Sequence, residues 1–296
     1  MKKTSNPLLF FGTEQFSAAS LEKLIDDNYD IRAVITKPDS KKGRGHKVIE
    51  SPVKIMAKKH AIPVWQPNKV TEIADDIKKI PHVTGVLVSY GKIIPKSILD
   101  LFAVGIINIH PSLLPKYRGP SPIESAIFNG DDSTGVSIMK LTPEMDAGPV
   151  YCQKKISLGG NETRPSLYEL LAKNSAALLV ENLPAILDGS LTATPQDEEK
   201  ATYCQLLQKS EGRLNPEEMT ATECERHIRA FLGFPRSKLT INGYDCIITA
   251  ASIVESAQMN PLVINCKNNT FLSIERLTAP SGKSVDAASF LRGYSA

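Results

Sequence analysis

The five cysteines, Cys152, Cys204, Cys224, Cys246 and Cys266, are scattered, odd in number and never at C-x-x-C spacing. That excludes a disulfide framework and a structural zinc site, and leaves reduced thiols in a cytoplasmic protein as the expectation. Long apolar runs are missing too. The basic start MKKTSNPLLFFG leads into an apolar stretch of about five residues, too short for a signal-peptide core. No later run reaches the ~18 residues of a membrane helix. Neither charge sign dominates: 35 Lys and Arg against 32 Asp and Glu leave a net +3, too little by itself to imply a polyanionic partner. The chain has no internal repeat and no low-complexity tract. It also lacks G-x-G-x-x-G after its first apolar run, where only Gly12 stands, so the dinucleotide fingerprint is absent.

What is present is alternation. In the first two-thirds, short β-branched or aromatic runs (LLFFG, IRAVIT, VTGVLVSYG, VGIINIH) are separated by helical patterns. SAASLEKLIDD places Leu21, Leu24 and Ile25 on one helix face. SPVKIMAKKH opens on Ser51 as N-cap with Pro52 at the first helical position, and SPIESAIFNG repeats that start and ends on Asn-Gly. TGVSIMKL and PVYCQKKISL read as strands, and residues 165–187 as a long helix. Such alternation predicts a doubly wound, mostly parallel α/β sheet of Rossmann-like type. A polar, turn-rich linker follows. Beyond it, a helix with a capping box at Thr222 and Glu225 carries Cys224, Ile228 and Phe231 on one face. Asn242-Gly243 then joins two strands in a hairpin, and PLVINC and TFLSIERL form another pair. The expected second domain is a small β unit with one helix, for which a barrel is one solution. The expected boundaries are 1–189, a linker over 190–207, and 208–296, as suits a chain of 296 residues.

INIHPSLLPKYRGPSP, residues 107–122, carries the chemistry. Side chains two apart on a strand point the same way, so Asn108 and His110 converge. An uncharged donor beside a group that can also hold a proton suits a carbonyl that must become an oxyanion. Pro111, Pro115, Pro120 and Pro122 stiffen the loop that follows. Further on, MDAG places Asp146 in a glycine-containing turn, where it can orient His110 or relay a proton. Each residue also fits a plain structural part: Asn108 as a strand-end cap, His110 as a satisfied buried histidine, Asp146 as ordinary turn chemistry.

The longer stretch INIHPSLLPKYRGPSPIESAIFNGDDSTGVSIMKLTPEMDAGPV closely resembles the signature region of the folate-dependent formyltransferases. N-x-H, P-S-L-L-P-x-Y-R-G, T-G-V and D-x-G occur in that order. The resemblance implies catalytic roles for Asn108, His110 and Asp146. It implies that Ser112, Leu113, Leu114 and Pro115 line the tetrahydrofolate site. The backbone around VSYGKIIP, including Tyr90 and Gly91, would line a pterin pocket. It also implies 10-formyltetrahydrofolate as co-substrate, with no metal.

Three further features resemble those members of the family that formylate initiator methionyl-tRNA: FFGTEQFSAASLEKL, TKPDSKKGRGHKVIESPVK and HIRAFLGFPRSKLTI, the last matching the start of an OB-like C-terminal domain. By this resemblance Lys41, Lys42, Arg44 and Lys47 contact the tRNA acceptor arm. Lys37 to Lys54 holds six Lys and Arg against two Asp and Glu, a local excess that a phosphate backbone attracts. From Ala201 onward ten Lys and Arg meet nine Asp and Glu. A basic face there would have to be built from Arg226, Arg229, Arg236, Lys238, Lys267 and Lys283. Within the same chemistry the alternative is a sugar-nucleotide N-formyltransferase, which keeps the trio but has no use for the basic loop. A non-catalytic nucleotide- or RNA-binding protein has no use for the trio. The expectation is a monomeric, cytoplasmic, bacterial-type enzyme without membrane contact.

Overall fold

The computed structural model of the chain describes residues 6–42, 47–258 and 260–294. Its contacts define two units: Met1–Gly119 with Gly135–Ile156 and Tyr168–Tyr203, and Pro120–Thr134 with Ser157–Leu167 and Cys204–Ala296.

The first unit is built on a sheet. In chain order come β1 (Leu8–Gly12), α1 (Gln15–Asp26), β2 (Ile31–Ile35), the hairpin β3 (Ser40–Lys42) and β4 (Lys47–Ile49), α2 (Pro52–Lys59), β5 (Val64–Trp65), α3 (Ala74–Lys78), β6 (Thr84–Val88), α4 (Lys96–Leu99) and β7 (Ile106–His110). After α5 (Pro122–Asn129) follow β8 (Ser133–Lys140), β9 (Val150–Ser157) and α6 (Arg164–Leu187). Ser51 caps α2 as expected, its hydroxyl accepting the Lys54 N–H at 3.1 Å. The sheet order is β5-β2-β1-β6-β7-β8-β9. The strands from β5 to β7 are parallel, and β8 runs antiparallel to β7. The chain lays β2 and β5 on one side of β1, then returns to place β6 and β7 on the other. That reversal opens a crevice at the carboxyl ends of the strands, and His110 is the last residue of β7.

All five residues of β1 are buried, which is why it reads as an unbroken apolar run rather than an alternation. One face of the sheet packs Leu9, Phe11, Ile35 and Ile106 with Ile77, Ile98 and Phe102. By length and composition α6 is long and apolar enough to cross a membrane, yet half of its most apolar window is buried within the fold. Leu167, Leu171, Ser175, Leu179 and Leu183 are the fully buried residues of its inward stripe.

The second unit centres on an antiparallel sheet. It contains α7 (Ala221–Ala230), β10 (Ser237–Ile241), β11 (Tyr244–Val254), β12 (Val263–Cys266), β13 (Thr270–Thr278), β14 (Ser284–Asp286) and α8 (Ala287–Gly293). The order is β10-β11-β13-β12, with β14 added to β13. Asn242 and Gly243 are both left-handed, at φ 53° and 80°, as a two-residue hairpin turn requires. Register shifts between Ile248 and Ala251 bend β11, and a bulge increases local twist. The sheet curls into an OB-like half-barrel: among the described residues β10 and β12 do not pair, so it stays open. Ala221, Cys224 and Ile228 of α7 cover it, meeting Ile248, Leu272 and Leu277.

The start of α7 corrects the sequence reading. The N-cap is Thr220, whose hydroxyl accepts the Glu223 N–H at 3.3 Å while Glu223 accepts the Thr220 N–H at 2.7 Å. Two T-x-x-E strings overlap here. Beginning at Thr220 puts Ala221 in the core and leaves Glu225 to pair with Arg229 one turn on. All five cysteines are free thiols. Burial pushes the Cys152 thiol up to about 11 and that of Cys224 to about 12, so both stay protonated and unreactive at neutral pH.

Candidate active site

Asn108 and His110 end β7 on one side of the strand, only 5% and 4% exposed. β8 sets Met139 opposite Asn108 and Ser137 opposite His110. The Asn108 amide makes no hydrogen bond among the described residues. His110 is bonded at one ring nitrogen and faces an acid with the other. Nε2 donates to the Tyr117 carbonyl at 2.8 Å, and Nδ1 stands 3.5 Å from Asp146 Oδ2. A carbonyl only accepts, so Nε2 carries the hydrogen of that bond and Nδ1 is the nitrogen that faces Asp146.

Both residues that hold the imidazole have left-handed backbones, Tyr117 at φ 59° and Asp146 at φ 48°. An L-residue there costs roughly 1–2 kcal/mol, so the surroundings must over-determine it. Asp146 Oδ2 also accepts the Gly119 N–H at 2.9 Å. The turn folds so tightly onto the end of β8 that a Cβ on Gly148 would collide with the Lys140 carbonyl. That is the physical reason for glycine in D-x-G.

The loop after β7 is fastened from beneath. The Ser137 hydroxyl donates to the Ser112 carbonyl at 2.6 Å and accepts the Leu114 N–H at 3.0 Å. Gln153 Nε2 donates to the Leu114 carbonyl and to Ser137 Oγ, both at 2.8 Å. Ser112 and Leu114 are buried, Leu113 and Pro115 half-buried, and the Leu114–Pro115 peptide is cis. In T-G-V, a Cβ on Gly135 would strike the Lys154 carbonyl and the Leu113 side chain. The Tyr90 ring lies in the apolar core, edge-on to Phe11. Its hydroxyl is buried without a partner, and burial pushes its pKa up to about 12. Tyr90 therefore offers a pocket only its main chain. Gly91, at φ 67°, lies against the Lys37 side chain.

Of the basic loop, Arg44 lies outside the described residues, as do the side chains of Lys41, Lys42 and Lys47, whose backbones form the β3–β4 hairpin. In the second unit Arg236, Lys238, Lys267 and Lys283 are exposed. Arg229 is tied to Glu225 and to the Glu162 carbonyl, and Arg226 to the Asn129 carbonyl. Among the described residues no group of three or more His, Cys, Asp or Glu is placed to hold a metal ion. A groove of about 500 Å³ between α1 and α6 contains none of the residues discussed above.

Sequence reasoning missed a strap. Within 190–207, residues 194–203 run along the stiff loop. Thr202 accepts the Arg118 N–H on its carbonyl at 2.8 Å and the Tyr117 N–H on its hydroxyl at 2.9 Å. Arg118 is fully buried. Its guanidinium makes a fork with Glu198 at 2.8 and 2.7 Å, and donates to Gln196 Oε1 and Tyr203 Oη. Arg118 stands within Y-R-G, but no local signal marks an arginine as buried.

The Formyl transferase family model matches residues 7–183 and the Formyl transferase, C-terminal domain model residues 206–295. The methionyl-tRNA formyltransferase of Sulfurihydrogenibium sp. (strain YO3AOP1) is 37% identical over 302 residues, covering 97% of this chain and 96% of its own. That of Lactobacillus acidophilus is 35% identical, with 97% and 95% covered. Among solved structures, an N-formyltransferase from Helicobacter canadensis in complex with folinic acid and dTDP-3-aminofucose superposes with TM-score 0.70 at 19% identity, covering 93% of this chain and 99% of that one. HypX from Aquifex aeolicus in complex with tetrahydrofolic acid gives 0.65 at 16%, covering 97% and 47%. At those identities the structures speak for the fold, whereas the near full-length matches speak for kinship: the chain belongs to the formyl transferase family, and within it to the methionyl-tRNA formyltransferases.

Proposed function

We propose that the chain transfers the formyl group of 10-formyltetrahydrofolate to the free amino group of methionyl-initiator-tRNA, giving N-formylmethionyl-tRNA for translation initiation in the cytoplasm. It acts as a monomer whose catalytic part spans 1–189 and whose tRNA-binding part, beyond a linker over 190–207, spans 208–296. The observation that carries this reading is the meeting of His110 and Asp146 at 3.5 Å beside the unpartnered Asn108 amide. The relatives named for the activity support the choice of acceptor.

The residues fit such a co-substrate. Asn108 presents a donor with no acceptor among the described residues, and Ser112 to Pro115 form a fixed wall, shaped before a flat molecule arrives. When bound, 10-formyltetrahydrofolate supplies the formyl carbon, on N10, to the attacking amine. Asn108 and protonated His110 stabilise the negative charge that develops on the formyl oxygen. Asp146 keeps His110 oriented and takes the proton shed by the amine, directly or through a water; the bond from the formyl carbon to N10 breaks, and tetrahydrofolate leaves with a proton returned to N10. Lys41, Lys42, Arg44 and Lys47 hold the acceptor arm by its phosphates.

The test is to mix the protein with 10-formyltetrahydrofolate and either methionyl-tRNA or an amino-sugar nucleotide. N-formylmethionyl-tRNA is expected. Formylation of the sugar alone overturns the choice of acceptor, and formylation of neither overturns the reading as a whole.

A further inference from the structure

Gln196 belongs to no stretch that the chemistry above uses, yet its side chain, alongside the Gly119–Asp146 bond, joins both halves of the site. Its Nε2 donates to the Asp146 and Gly148 carbonyls, each at 2.7 Å. Its Oε1 accepts from Arg118 Nε and Nη2 at 3.1 and 3.0 Å. One amide therefore spans from the loop that carries the Tyr117 carbonyl to the turn that carries the Asp146 carboxylate, and His110 lies between those two groups. Donating to the Asp146 and Gly148 carbonyls ties down two peptide planes of the turn that carries the Asp146 side chain. Arg118 cannot drift: it is buried and forked onto Glu198. Its anchorage passes through Gln196 to the turn.

We infer that Gln196 is a positioning residue for formyl transfer, holding the Asp146 carboxylate at its working distance from His110 while Arg118 and Glu198 anchor it. The inference rests on the role assigned to Asp146 above. A fixed carboxylate matters because a shift of about 1 Å at a reacting group costs on the order of 10²-fold in rate.

The experiment uses the full chain with 10-formyltetrahydrofolate and methionyl-tRNA, and compares Gln196→Ala, Gln196→Glu, Asp146→Asn and the double variant Gln196→Ala/Asp146→Asn. Gln196→Ala is expected to lower kcat ~10–100-fold with both KM values within about twofold. Gln196→Glu keeps an acceptor for Arg118 and the size of the side chain, but cannot donate to the two carbonyls. It is expected to lose the same kcat, which tests the idea even should the alanine variant fold poorly. In the Asp146→Asn background the alanine substitution should add nothing, because it acts through the missing group. Full additivity, or wild-type kcat for Gln196→Glu, overturns the positioning role and leaves that of Asp146 standing. Wild-type kcat for Asp146→Asn overturns both.

Discussion

Asn108 and His110 leave β7 with opposite arrangements of polarity. The amide has no partner among the described residues, while the imidazole bonds the Tyr117 carbonyl through Nε2 and faces Asp146 with Nδ1. In the proposed mechanism the open amide donates to a ligand oxygen. On the proposed mechanism, replacing either residue by alanine removes one group that stabilises the oxyanion. Turnover should fall ~10²–10³-fold while folate binding persists, which single-turnover kinetics beside equilibrium folate binding will check. Wild-type turnover in either variant would remove the assignment. These two side chains are legible in the sequence because a period of two is all that brings them together. Asp146 is legible as an acid in a glycine-containing turn, but its approach to His110 is not, since closing that distance takes the path of β8 and the folding back of D-x-G. Gln196 and Arg118 are not legible at all. Their partners lie tens of residues away, and no periodicity encodes a hydrogen bond between two loops.

Among the elements, apolar pattern and cap chemistry succeed where the two agree. Ser51-Pro52 starts α2 and Asn242-Gly243 turns the β10–β11 hairpin, as their residue preferences dictate. The start of α7 is harder because two capping boxes overlap by two residues, and local chemistry does not rank them. The core does: only the earlier start sets Ala221, Cys224 and Ile228 against the curled sheet. Thr220→Ala should therefore cost ~1 kcal/mol of stability and Thr222→Ala only a few tenths, measured by urea unfolding of the full chain. Equal losses would place the cap elsewhere. The OB-like unit expected beyond the linker is present as an open, curled half-barrel, and how far it stays open depends on how far the bulged β11 bends.

For the whole molecule, compact units and linear stretches do not coincide. The unit holding the C-terminal sheet also takes in α5, where Phe128 stacks on Phe231 at 5.9 Å. A linear reading assigns α5 by its neighbours in the chain, whereas ring packing assigns it by contact. The charge distribution, by contrast, is a property of the sequence. With net charge near zero, the excess between Lys37 and Lys54 stands out as the electrostatic feature for a phosphate backbone. Arg44→Ala should weaken tRNA binding and lower the magnitude of its log–log salt slope by about one, with formyl transfer at saturating tRNA unchanged. Binding isotherms over a range of salt concentrations will decide it, and an unaltered slope would deny the loop its role.

The sequence by itself determined the alternation of strands and helices, the pairing of Asn108 with His110 and the basic stretch. Each is carried by residues within a few positions of one another, where spacing is geometry. Tertiary structure alone decided that β8 reverses against β7, that Asp146 reaches the imidazole, and that a polar linker is a strap whose glutamine joins the two halves of the site. Those outcomes follow from packing and hydrogen bonding between segments distant in the chain, and no local pattern records such contacts.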